Sequence, residues 1–181
     1  MRFPGGEVRF VADITVGKAA KWVRILGFDT LFMPRLDEGF LAACLAEGRI
    51  LITRDGRLAV KRGMTNALVL TANDPAEQVV DLLRRLRLVG VVSEAVRRME
   101  AEGAGPDAGW PRPLSRCLRC NEPLAEVSRA EVILEVPDFT WATQGRFHRC
   151  PVCRRVYWGG THCERIVAAL KALLGSEAER T

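Results

Sequence analysis

Arg49-Ile50-Leu51-Ile52-Thr53-Arg54-Asp55 is the stretch on which the fold turns. Its first five residues (RILIT) make a short apolar run of strand length, the pattern of a strand buried on both faces. It ends on an acid and follows Gly48, a suitable stop for a preceding helix. The same unit recurs on either side. Upstream, Val8–Asp13 is a short apolar run that also closes on an aspartate, and Val16–Leu26 then shows helical spacing (Val16, Ala19, Ala20, Val23, Leu26) up to Gly27. Phe28–Met33 reads as a strand and Gly39–Glu47 as a helix. Downstream come a short helix at Arg57–Arg62, a strand at Ala67–Thr71, and a helix from Pro75 to about Leu88. Asp74 is its expected N-cap, Pro75 its first residue and Glu77 the partner in a capping box. A further helix is expected over Val91–Glu102. Four strands alternating with helices predict an α/β fold, a parallel sheet covered by helices on both faces.

The 181 residues suit one ordinary domain plus a small module. Residues 1–102 are expected to form the α/β domain. Residues 103–114 are rich in Gly and Pro, lack periodicity and read as a linker. Residues 115–181 carry the cysteines, an expected strand at Ala130–Val136 and a closing helix at Cys163–Leu174.

In that last segment Cys117-Leu118-Arg119-Cys120 and Cys150-Pro151-Val152-Cys153 are two C-x-x-C pairs, 29 residues apart. Each pair aims two thiolates at one point when the chain turns as a knuckle, and two knuckles supply the four sulfurs of a structural zinc ion. One zinc per chain and a zinc ribbon are therefore expected. Arg116, Arg119, Arg149, Arg154 and Arg155 crowd the pairs, and the chain carries a net charge of +5, which suits a polyanionic partner. No signal peptide is evident, since Glu7, Arg9 and Asp13 interrupt the first apolar stretch, and no run reaches the roughly 18 apolar residues that span a bilayer. A cytoplasmic protein without membrane contact is expected, in a compartment where thiols stay reduced. Cys44 falls in an apolar helical pattern and reads as a core residue. The sequence leaves the oligomeric state open.

Ligands of an open parallel sheet bind outside the carboxyl ends of its strands. Asp13 ends the first strand, Asp37 and Glu38 follow the second, and Asp55 follows the third. Carboxylates converging there need a divalent cation between them, and Mg²⁺ or Mn²⁺ prefers such oxygen ligands and keeps waters that can attack phosphorus. Asp13, Asp37 and Asp55 are the expected ligands, with Asp37 and Glu38 unranked. Each acid has a second reading as a helix cap or first-turn acid, and for Asp74 that reading is the stronger. Thr53 either orients a water at the metal or ends a β-branched strand. Lys18, Lys21 and Arg24 recur every third residue on the first helix, placed either to hold a phosphate backbone or to form a solvated face. His148, His162 and Cys163 are held in reserve as metal ligands. Trp22, Trp110, Trp141 and Trp158 either stack on bases or pack.

Taken in order, these residues resemble the PIN-like RNases of the mutator-seven C-terminal family, a nuclease domain carrying a C-terminal zinc ribbon. The resemblance runs through Asp13, Gly17-Lys18-Ala19-Ala20-Lys21-Trp22-Val23-Arg24-Ile25-Leu26-Gly27-Phe28-Asp29, Asp37-Glu38 and Gly48–Asp55. It continues through Asp74-Pro75-Ala76-Glu77-Gln78, Ser115–Cys120 and Phe147–His162. It implies a PIN-like three-layer α/β/α domain and metal-dependent hydrolysis of RNA, single-stranded or structured, by water under Mg²⁺ or Mn²⁺. By position it makes Asp13, Asp37 or Glu38, and Asp55 the catalytic acids. Two rivals stand beside it: a zinc ribbon that binds RNA or DNA without catalysis, and a phospho-acceptor or phosphatase aspartate at Asp13. The phosphatase lacks its expected second aspartate in Asp13-Ile14-Thr15.

Overall fold

The computed structural model describes residues 7–61, 64–102, 110–159, 165, 167–169 and 171–172. The chain begins with β1 (Phe10–Asp13), a single 3-10 turn (Ile14–Val16) and α1 (Gly17–Ile25), followed by β2 (Thr30–Met33) and α2 (Glu38–Ala46). β3 (Ile50–Thr53), α3 (Gly56–Lys61), β4 (Ala67–Val69), α4 (Pro75–Arg85) and α5 (Val89–Glu102) complete the α/β unit. All four strands are parallel, in the order β2-β1-β3-β4. The chain therefore steps from β1 to one side and returns to the other side at β3. That reversal makes the β1/β3 edge the topological switch point.

Side-chain alternation sorts the strands between two cores. Phe10 and Ala12 of β1 and Ile50 and Ile52 of β3 face a large core with Ala19, Val23, Val79, Leu83 and Val92 from α1, α4 and α5. Val11 and Leu51 face the other way, onto Leu41 and Cys44 of α2. Two covered faces explain the continuous apolar runs. Cys44 is the core residue its pattern suggested, and burial pushes its thiol pKa up.

Both glycine stops act as read. Gly27 (φ +92) and Gly48 (φ +76) take the left-handed conformation that closes α1 and α2. In each case two amides fold back onto the last turn: Gly27 N–H to Arg24 and Phe28 N–H to Val23, then Gly48 N–H to Leu45 and Arg49 N–H to Cys44. At Gly27 a side chain has no room either, because an added Cβ would run into the Arg112 backbone.

Residues 103–109 of the expected linker lie outside the described residues. Trp110–Leu114 lies against the α/β unit: Trp110 meets Phe28 edge-on with centroids 5.3 Å apart, and Leu114 N–H donates to Ile25 at 2.7 Å. The chain then builds an antiparallel sheet, β5 (Ala125–Val127), β6 (Phe147–Arg149) and β7 (Val156–Trp158), with α6 (Arg129–Val132) and α7 (Asp138–Thr143) between β5 and β6. The strand expected at Ala130–Val136 is not there. Ser128 donates from its amide (2.9 Å) and hydroxyl (2.7 Å) to the Glu131 carboxylate, which starts a helical turn instead. Val132 and Val136 still reach a core, packing on Phe147. Of the expected closing helix Cys163–Leu174, residues 165, 167–169 and 171–172 are described and helical, and His162 and Cys163 lie outside the described residues. No described helix is long and apolar enough to cross a membrane.

Candidate active site and metal centre

Ala12 pairs with Ile52, so Asp13 and Thr53 stand side by side where β1 and β3 end, at the switch point. Asp13 is 7% exposed, and three donors hold its carboxylate. Thr15 gives its amide (3.0 Å) and hydroxyl (2.5 Å) to Oδ1, and the fully buried Thr53 gives its hydroxyl to Oδ2 at 2.5 Å. Each hydroxyl also accepts an amide from the loop after β3: Arg54 N–H donates to Thr15 Oγ1 (2.8 Å) and Asp55 N–H to Thr53 Oγ1 (2.9 Å). The two threonines thus fasten both strand ends to one carboxylate and fix its orientation.

The other acids lie on the same edge as exposed caps. Asp37 Oδ1 accepts Phe40 N–H (2.9 Å) at the start of α2, with Glu38 in the first turn. Asp55 Oδ1 accepts Arg57 N–H (2.9 Å) and Leu58 N–H (3.3 Å) at the start of α3. Asp74 caps α4 through Ala76 N–H (2.8 Å) and Glu77 N–H (3.2 Å). Among the described residues no three carboxylates bring an oxygen each within 4.8 Å of one another. The donor set does not form an all-protein cage. It fits the ordinary habit of Mg²⁺, which is held by one or two carboxylates and completed by water and phosphate.

The cysteines do converge. Cys117, Cys120, Cys150 and Cys153 place their sulfurs within 4.8 Å of one another, with Cys117 and Cys153 3.6 Å apart. A tetrahedron of sulfurs about 2.3 Å from zinc has edges of about 3.8 Å, so the cluster fits the ion. Both knuckles are built alike. Asn121 N–H returns to the Cys117 carbonyl and Arg154 N–H to that of Cys150, and each of these two residues takes positive φ, +71° and +62°. Crowded thiols cannot all ionise unaided. Burial acts to raise the Cys117 pKa, but hydrogen bonds from the Tyr157 hydroxyl and the Cys120 and Arg119 amides outweigh it and bring it to about 6. Cys120, hydrogen-bonded to Cys153 beside that thiolate, is pushed up to about 12. A dication removes that conflict.

One knuckle is docked on the α/β unit. Arg24, 4% exposed, donates to the carbonyls of Thr30 (2.8 Å), Leu118 (2.8 Å) and Arg119 (3.2 Å). Asn121 accepts Thr30 N–H at 2.8 Å and donates to Asp29 at 2.6 Å, while Arg49 grips Asp29 with two bonds of 2.8 and 3.1 Å. Burial alone would raise the Asp29 pKa, but the bonds from Arg49 and Asn121 hold it below the usual carboxylate range.

Docking creates a cleft of about 910 Å³ between the two units. Lys18, Lys21, Arg24, Arg54, Arg119 and Arg155 line it, together with Thr15, Phe32, Asn73, Gln78, Leu118 and Tyr157, and among the described residues no Asp or Glu does. Lys18 and Lys21 are exposed there, whereas the Arg24 guanidinium is engaged by the three carbonyls. Arg116 and Arg149 turn inward too, Arg116 to the Asn121 carbonyl and Arg149 to Glu135. The cleft reaches the Asp13 network, since Thr15 and Arg54 belong to both. Of the tryptophans, Trp22 and Trp110 pack on the large core and Trp141 lies under Arg129 with its indole N–H on the Arg129 carbonyl. His148, in β6, has its pKa lowered by burial.

Asn121, Asp29 and Arg49 were not read as partners, nor was Arg54 as a cleft residue. The visible signal was Asn directly after a C-x-x-C, a residue that tolerates positive φ. The Mut7-C RNase domain model matches residues 8–102 and 107–170. No curated protein and no solved structure matches the chain.

Proposed function

The chain belongs to the Mut7-C RNase domain family, and on that premise we propose that it hydrolyses RNA phosphodiester bonds at the carboxyl edge of a PIN-like sheet. In this reading Mg²⁺ or Mn²⁺ would be held at Asp13, with Asp37 or Glu38 and Asp55 reaching it through the waters such an ion retains. Such an ion supplies activated water and stabilises the charge that builds on phosphate and leaving oxygen. Thr15 and Thr53 aim the Asp13 carboxylate, and Asp37 and Asp55 each cap a helix with one oxygen and retain the other. Lys18, Lys21, Arg54, Arg119 and Arg155 hold the backbone, which makes binding salt-dependent and largely indifferent to sequence. The Cys117/Cys120/Cys150/Cys153 site takes zinc, which keeps the ribbon wall of the cleft in place and takes no part in the chemistry.

The observation that carries this reading is the juxtaposition of a fixed aspartate at the switch point with a cleft that, among the described residues, is lined by six cations and no acid. A competing reading, nucleic-acid binding without hydrolysis, is favoured by the capping bond that each acid already makes. Cleavage of a labelled single-stranded RNA with and without Mn²⁺ separates them. Wild type should cleave only with the ion, and Asp13→Asn/Asp55→Asn should lose cleavage while still binding RNA. A double variant that cleaves like wild type refutes the site.

A further inference from the structure

We propose that the ribbon carries a nucleobase pocket that takes one unpaired base of an RNA strand whose phosphates lie along the cationic cleft; this rests on the ribonuclease reading above. A second cavity, of about 280 Å³, opens where the three-stranded sheet meets the first knuckle and α5. That is just below the range of drug-sized pockets and suits a single heterocycle. Its walls are flat or apolar, with His148 and Tyr157 paired side by side on one face of the sheet and Met99, Leu118 and Leu124 from around it.

Gln144, half-buried on the rim, gives the pocket a directional group. Its backbone N–H donates to the Thr140 carbonyl, whereas its side-chain amide has no hydrogen-bond partner among the described residues. A planar amide presents a donor and an acceptor together, the pair that reads the edge of a base. Aromatic walls supply the sequence-tolerant stacking that single-strand binders use. Among the described residues the charged groups lining the cavity are Arg116 and Arg146, both cations, so its charge has the same sign as that of the cleft.

The two cavities are neighbours. Leu118 and Tyr157 line both, so they form the ridge between cleft and pocket, and a strand crossing it has phosphates on one side and a base on the other. The Tyr157 hydroxyl is tied to Cys117 Sγ at 3.1 Å, which anchors that ridge to the metal centre.

Fluorescence anisotropy on the zinc-loaded full chain, without added Mg²⁺ or Mn²⁺, tests this with two hexanucleotide-length strands. One is ordinary RNA and the other an abasic ribose-phosphate strand of equal charge. Wild type should bind the base-bearing strand roughly tenfold tighter, as one stacked and hydrogen-bonded base allows. Gln144→Leu, at a rim position outside the sheet, should lose most of that preference with little effect on the abasic strand. Lys18→Ala should weaken both strands by a similar factor. Equal binding of the two strands by wild type overturns the pocket and leaves the ribonuclease reading standing, as does a preference that survives intact in Gln144→Leu. Binding of neither strand overturns both.

Discussion

Replacing Thr53 with Val removes one hydroxyl from a site with no solvent access and changes the side-chain shape very little. In wild type that hydroxyl donates to Asp13 Oδ2 at 2.5 Å and accepts Asp55 N–H at 2.9 Å. The first is a bond to a charged acceptor, worth about 1.5–3 kcal/mol, and the second leaves a backbone donor without its partner. The two losses share one atom and do not add fully, so a destabilisation of about 2–3 kcal/mol is expected. For a chain of this size each kcal/mol lowers Tm by roughly 2–4 °C, giving a fall of roughly 4–12 °C in a thermal melt. Thr53 is a positioning residue, so RNA cleavage should fall chiefly in kcat, with KM little changed because the cleft cations are untouched. Thr53→Ser, which keeps the hydroxyl, should recover most of both. If Thr53→Val melts and cleaves like wild type, the hydroxyl network does not hold Asp13 in place.

Arg24→Met should destabilise the fold by about 2–4 kcal/mol, since three carbonyls from two units lose one charged donor; denaturant titration of the variant against Lys21→Met, an exposed neighbour, checks it. Cys117→Ser/Cys120→Ser should reduce zinc from about one per chain to none by elemental analysis and loosen the ribbon, and zinc retained at full occupancy would contradict the ligand set. Asp29, whose pKa is depressed in the fold, contributes stability that is complete above its unfolded value, near 3.9, and is lost as pH falls through the lower folded value. Melts between pH 6 and pH 3 should therefore steepen at the acid end for wild type, and less so for Asp29→Asn.

How much of this was legible in sequence follows from the range of each interaction. The RILIT strand, the Gly27 and Gly48 stops and the C-x-x-C knuckles are local patterns, and all three formed as read. Ala130–Val136 misled because its apolar spacing satisfies a strand as well as a short helix, and the deciding bond, Ser128 to Glu131, lies at its edge. The docking of knuckle on sheet was not readable. Arg24 and Leu118 are 94 residues apart, and Thr30 and Asn121 are 91 apart, so no periodicity connects them. Lys18, Lys21 and Arg24 looked equivalent at their helical spacing, and only the neighbouring knuckle makes one of them a structural tie. The acids were readable as residues of one sheet edge, whereas their capping bonds follow from the exact start of each helix.

In the proposed mechanism the carboxyl edge of the parallel sheet, centred on Asp13, holds the divalent ion under which RNA is cleaved. Anomalous diffraction at the manganese edge from crystals soaked in Mn²⁺ measures this directly. That mechanism requires a manganese peak against the Asp13 carboxylate, facing the cationic cleft, and its loss in Asp13→Asn. Manganese absent from that edge in a protein that still cleaves RNA with Mn²⁺ would contradict it.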